Sequence, residues 1–251
     1  MTHKIAPIVV NFRVPGGLYM GMRRLAQWPL GLIQSRLDRF PRLPYQPLPW
    51  LGLVDADRAT GTEARWKEIE KIAKDHHIKT AMDLGSNVGY FCFRLSELGI
   101  GTIGFEMSGR FYRLALQAAE TFSTNRPMFI NHMMTPEDKH ALPTVDMVLV
   151  LSVWHHWVRA FGLDGASLML RRAWQHCNVA MVFETGESEM PASYNLPAMV
   201  PDARAWLTKY LGDIMEGAKV SHLGQFKAFS PGGNENRRIV LRNLFLVSRK
   251  L

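Results

Sequence analysis

Cysteine is scarce in this chain of 251 residues, with only Cys92 and Cys177 present. Two thiols cannot make a disulfide framework or, by themselves, a metal cluster, and the count fits a reducing compartment. Long apolar runs are missing as well. The longest stretches, such as Val145 to Trp157, are strand-length and broken by Asp, Ser and His, whereas a membrane span needs roughly 20 apolar residues. An integral membrane protein is not expected. The start, MTHKIAPIVVNFRVPGG, has too brief an apolar run for a secretory leader and no small-residue cleavage site, so a cytoplasmic location is expected. There is no internal repeat and no low-complexity tract. Acidic residues are nearly absent from residues 1 to 50, where Lys4, Arg13, Arg23, Arg24, Arg36, Arg39 and Arg42 face only Asp38, so this segment carries six of the eight net positive charges. Such asymmetry suggests an anionic partner: a phosphate-bearing substrate, nucleic acid or the inner membrane surface. A solvated basic face is the bland alternative. Nucleic acid is the weaker of the three partners, because no RNA-binding module or basic-aromatic alternation is visible.

With 47% hydrophobic residues, the chain can bury one sizeable α/β core plus an appendage. Pro41, Pro44, Pro47 and Pro49 favour extended backbone from Phe40 to Leu53, which reads as a connector. Before it, Leu18, Met22, Leu25, Leu30, Ile33 and Leu37 form an apolar stripe suited to a helix on the core or on a membrane surface. The domain reading is therefore a basic extension with a connector over 1–59 and a main domain over 60–251. Thr60 and Glu63 stand at capping-box spacing, and Trp66, Ile69, Ile72 and Ala73 follow at helical intervals. Strands are expected at Thr80 to Leu84, Gly101 to Glu106, Met128 to Asn131, Asp146 to Ser152 and Val179 to Glu184, alternating with helical patterns. That rhythm predicts a parallel α/β sheet. Val220 to Phe229 and Arg242 to Arg249 read as two late strands joined through a Pro-Gly-Gly-Asn turn, compatible with an antiparallel pair.

The most informative stretch runs from Thr80 to Ser108. A buried strand leads into Asp83-Leu84-Gly85-Ser86-Asn87-Val88-Gly89, and a helix starts near Tyr90. Glycines there allow a tight turn and close ligand approach, beside the unpaired N–H groups of a helix start. Asp83, at the carboxyl end of the strand, would repel a pyrophosphate and attract an ammonium group. Glu106, at the end of the next strand, is placed to accept from a ribose diol. One acid for an amino group and one for a sugar describe S-adenosylmethionine.

These residues resemble motif I and the following acidic strand end of class I S-adenosylmethionine-dependent methyltransferases, over roughly Ala81 to Ser152. The resemblance implies a Rossmann-like, mostly parallel seven-stranded sheet with helices on both faces. It also implies that Asp83 holds the methionine amino group, that Gly85 and Gly89 line the methionine and ribose, and that Glu106 grips the ribose hydroxyls. Ser86, Tyr90, Met107 and Ser152 join the candidate cofactor set. Asn87 stands where the family has its central glycine, and asparagine tolerates a left-handed backbone. Met133 or Met134 packs either on the adenine or in the core.

The fourth strand ends in Ser152-Val153-Trp154-His155-His156-Trp157, where ligands bind in open α/β sheets. The pattern L-S-V-x-H-H is similar to that of bacterial methyltransferases that modify polysaccharides or their terminal phosphates. Methyl transfer needs alignment and, for a hydroxyl acceptor, removal of a proton, which His155 or His156 can accept. Neighbours on an extended strand point to opposite faces, so one of the two is expected in the cleft; the other reading makes them structural caps. Glu184 either acts in the cleft or is scaffolding. His155, His156 and Glu184 also suit divalent ions, yet no ligand spacing supports a metal and none is assigned. Arg237, Arg238 and Arg242 either bind an acidic acceptor or are solvated. The expected activity is O-methylation of a glycan or small-molecule hydroxyl. The alternatives are a phosphate-bearing or nucleic-acid acceptor, and a catalytically silent scaffold. A nicotinamide dehydrogenase is a poorer rival, lacking G-x-G-x-x-G.

Overall fold

The computed structural model describes residues 46–52, 59–122, 125–138, 142–229 and 238–249. The basic segment, the stripe from Leu18 to Leu37, Arg237 and the Pro-Gly-Gly-Asn turn lie outside the described residues. The described residues all fall in one compact unit, Leu43–Leu251. Its elements run α1 (Ala59–Asp75), β1 (Thr80–Leu84), α2 (Tyr90–Glu97), β2 (Gly101–Glu106), α3 (Gly109–Ala119), β3 (Met128–Asn131), β4 (Val145–Leu151), α4 (Trp154–Gln175), β5 (Cys177–Glu184), α5 (Ala203–Ile214), β6 (Ala218–Phe229) and β7 (Ile239–Arg249).

The seven strands form one sheet in the order β3-β2-β1-β4-β5-β7-β6. Neighbours from β3 to β5 are parallel, while β7 runs antiparallel to both β5 and β6. The sheet is thus mixed rather than mostly parallel, because the closing strand enters by a hairpin instead of a helical crossover. Side chains alternate between two cores as the strand period of two requires. Met82, Leu84, Val148 and Val150 pack with Trp154, Val158 and Leu170 of α4 and Leu207 and Leu211 of α5. On the opposite face, Ala81, Met147, Leu149 and Val182 pack with Trp66, Ile69 and Ile72 of α1 and Phe91 and Leu95 of α2.

Three local readings change. The proline-rich segment is not extended throughout: Pro49–Leu51 form a 3-10 turn with Pro at its start, Leu48 is fully buried, and Trp50 packs on Phe93 at 4.8 Å between ring centroids. Helix α1 already includes Ala59, so Thr60 lies inside it rather than capping it, and the Glu63 carboxylate instead accepts from Tyr90 Oη at 2.8 Å. Strand β4 stops at Leu151, because Ser152 takes a left-handed conformation (φ 60°) that ends extended pairing. No helix among the described residues is long and apolar enough to cross a membrane.

Candidate functional site

The register brings the carboxyl ends of β1, β2 and β4 together, since Asp83 pairs with Gly104 and Leu149. Chain segments leaving these ends enclose a cavity of about 520 Å³. Gly85 and Asn87 line it after β1, Glu106, Met107 and Ser108 after β2, and His132, Met133 and Met134 after β3. Ser152, Val153 and His156 complete the side beyond β4, and Trp157 and Phe161 add an apolar wall. From α1 come Thr62 and Arg65.

Glu106 organises this cavity. Its Oε2 accepts from the Asn87 N–H at 2.8 Å and its Oε1 from the Ser108 N–H at 2.6 Å. Burial raises its pKa, and the backbone N–H groups of Ser108, Asn87 and Met107 oppose that rise. Each oxygen retains lone-pair capacity for a hydroxyl donor. Asn87 sits at φ 54°, the left-handed conformation that asparagine accepts more readily than most residues. Its Oδ1 is buried and has no hydrogen-bond partner among the described residues. A buried, unsatisfied acceptor on a cavity wall fits a ligand that donates there.

Other residues of the glycine turn lie beneath the cavity. Asp83 is 3% exposed and faces Cys92 Sγ at 4.0 Å. Burial, reinforced by the Glu106 charge, pushes its pKa up to about 7. Ser86 is fully buried. Gly89 (φ 86°) makes room for a core ring rather than for a ligand, since a Cβ there would meet Phe129 at 2.5 Å. Tyr90 does not line the cavity; it sits in the seam between α1 and α2, bonded to Glu63 and edge-on to Phe91.

The histidines are helical, not strand residues, because α4 begins at Trp154. His155 is 2% exposed and accepts the Gly186 N–H on Nδ1 at 2.9 Å, with Thr185 Oγ1 at 3.2 Å. It lies outside the cavity wall, whereas His156 lines it.

Glu184 is fully buried at the centre of an ionic cluster. Arg65 Nε meets its Oε2 at 2.5 Å, Ser152 Oγ donates to its Oε1 at 2.5 Å, and Arg242 Nη1 stands 4.0 Å away. Arg242, also fully buried, donates from Nη1 to Ser152 Oγ at 3.1 Å and from Nε to Glu189 Oε1 at 2.7 Å. Glu184 is therefore a positioning group that fixes Ser152 and Arg65, and Arg242 is neither solvated nor presented to an acceptor. Arg65 was not anticipated. Its signal is a guanidinium at 65 on the stripe Thr62, Trp66, Ile69 and Ile72, all buried.

Neither a protein-family model nor a curated protein matches the chain. Solved structures do. The crystal structure of WbdD, described elsewhere as a bifunctional kinase-methyltransferase, superposes with a TM-score of 0.65 at 21% identity over 88% of this chain. This chain spans about half of that protein, 47% of its length. Magnesium protoporphyrin IX methyltransferase ChlM from Synechocystis PCC 6803, solved with S-adenosylmethionine bound, gives 0.57 at 16% identity over 91% of this chain and 100% of its own. The methyltransferase domain of bacterial CtHen1-C gives 0.53 at 12% identity over 74% of this chain and 97% of its own. The fold of this chain is the class I methyltransferase fold.

Proposed function

We propose that this protein is an S-adenosylmethionine-dependent methyltransferase that methylates a hydroxyl of a glycan or small molecule. The observation that carries the reading is the cavity at the strand ends, with the buried Glu106 carboxylate held by two backbone N–H groups beside the unsatisfied Asn87 Oδ1. The cofactor fits this donor set: Glu106 accepts from its ribose diol, Asn87 from a further donor, and Met107 and Met133 pack against its purine. Asp83 acts from below, as a carboxyl whose ionised form a nearby cation favours. When bound, the cofactor supplies an electrophilic methyl group. The chain's own task is then to align the acceptor and take its proton. His156 is a residue on the cavity wall with that chemistry, an imidazole able to accept a hydroxyl proton, whereas His132, on the same wall, has its Nε2 paired with Asp138 at 2.9 Å. The Trp157 and Phe161 wall limits water.

Calorimetric titration of S-adenosylmethionine and S-adenosylhomocysteine tests this first. Micromolar binding to the wild type, weakened at least about tenfold in Glu106→Ala through loss of charge-assisted hydrogen bonds, is the expected result. Absence of binding to the folded wild type would leave a methyltransferase-like scaffold as the better reading. Transfer of labelled methyl to a panel of neutral glycans, small alcohols and sugar phosphates then identifies the acceptor.

A further inference from the structure

A second cavity, of about 1090 Å³, shares no lining residue with the first. Its walls come from the segment after β5, the start of α5 and the paired strands β6 and β7. A hydrogen-bonded chain of three side chains lies on its wall. Glu187, 8% exposed, accepts from the Asn243 backbone N–H at 2.6 Å, and Asn243 Nδ2 donates to both its oxygens at 2.9 Å. The Asn243 amide nitrogen is thereby committed to the carboxylate, so its Oδ1 must accept, and it pairs with His222 Nε2 at 2.8 Å. In a neutral ring this fixes the proton on Nε2 and leaves Nδ1 as an acceptor. A buried carboxylate that orients first an amide and then an imidazole along a cavity wall gives that wall a defined hydrogen-bonding pattern, rich in acceptors.

The charges on this wall exclude one class of ligand. Among the described residues, Glu187 and Asp202 oppose the guanidinium of Arg204 on this wall, so a phosphate or carboxylate would meet more like charge than opposite charge there. The amides of Asn195 and Gln225, also on the wall, can both donate and accept. Acceptors from Glu187 and His222 beside two-way amides suit a ligand carrying many neutral O–H groups. We infer that this cavity binds an uncharged, hydroxyl-rich ligand, a carbohydrate, recognised through Glu187, Asn243, His222 and Gln225. The segment that separates the cavities also binds the cofactor side, since Gly186 N–H is held by His155 and Glu189 by Arg242, which reaches Ser152. The further role of this cavity as a docking site for the unmodified part of a glycan acceptor rests on the methyl-transfer reading; sugar binding does not.

Saturation-transfer NMR on the full chain tests the inference, with methyl glucoside, methyl galactoside, N-acetylglucosamine, maltose and cellobiose as probes and glucose 6-phosphate as the anionic comparison. Saturation of the ring protons of at least one neutral sugar is expected. Its affinity should fall about tenfold in Gln225→Ala and in His222→Phe, the worth of a lost hydrogen bond in a formed site. Gln225 is exposed, so Gln225→Ala keeps the test open even if the change at His222 disturbs folding. Binding of S-adenosylmethionine by both variants should match the wild type. No transfer to any neutral sugar, tighter binding of glucose 6-phosphate than of methyl glucoside, or sugar binding untouched by both substitutions would overturn the inference. Sugar binding in a protein that takes no S-adenosylmethionine would remove the methyl-transfer reading and leave this one standing.

Discussion

His155 and His156 are adjacent in α4, and one helical step rotates their side chains by about 100° around the helix axis. That rotation divides their roles. His156 is on the wall of the strand-end cavity, whereas His155 is buried and accepts the Gly186 N–H on Nδ1. Under the proposed mechanism, His156→Ala lowers methyl transfer by about 10²- to 10⁴-fold, the usual worth of a general base, and leaves cofactor affinity and stability unchanged. His155→Ala strands a buried N–H and costs about 1–3 kcal/mol of unfolding free energy. Turnover measured beside urea denaturation separates the two. A stable His156→Ala with wild-type turnover would end its role as base and favour an acceptor that is already anionic.

At the scale of elements, α1 closes the strand-end cavity by lying against β6. Gly61 (φ 83°) permits this, because a Cβ there would overlap the Lys227 carbonyl oxygen, and Arg65 Nη2 donates to the same carbonyl at 2.8 Å. Gly61→Ala should push α1 off β6 and carry Arg65 away from Glu184. The expected result is a loss of about 1–3 kcal/mol from strained backbone and weaker cofactor binding, read by denaturation and calorimetry; a variant with unchanged stability would show that α1 shifts freely. None of this is written in local sequence. The strands were, because short apolar runs set between helical patterns, such as Thr80–Leu84, report buried strands, and β1, β2 and β3 have the expected bounds. The position of Glu106 was also visible, as a strand end at a set distance from a glycine turn. The histidines were misplaced on a strand because the left-handed turn at Ser152 depends on tertiary bonds to Glu184 and Arg242. The ionic cluster of Glu184 and Arg242 was not legible for the same reason: their partners lie tens of residues away in the chain. Gly89 shows a subtler limit, since a glycine required by the packing of Phe129 has the same letter as one required by a ligand.

For the whole molecule, three buried carboxyls with raised pKa values among the described residues contribute to the response to pH. Asp83 is raised to about 7 by burial and then by the Glu106 charge, and Glu106 and Glu187 are raised by burial as well. In the unfolded chain these groups titrate at their ordinary lower values, so between the two pKa values the folded protein binds more protons than the unfolded one. Their contribution to stability is fully present below the unfolded pKa and is lost as pH rises through the folded one. For Asp83 that window runs from about 4 to about 7. The melting temperature should therefore fall as pH rises across it, and Asp83→Asn should flatten the slope. Under the proposed function, a bound cofactor would reverse the sign at Asp83. A cation nearby favours the carboxylate and draws its proton off, so S-adenosylmethionine affinity should rise between about pH 6 and 8, with proton release on binding. Calorimetry at about pH 6 in two buffers of different ionisation enthalpy counts that proton. Release in the wild type but not in Asp83→Asn is the expected outcome; equal enthalpies in both buffers would mean that the cofactor's charge does not reach Asp83, and that this residue serves only the core beneath the glycine turn.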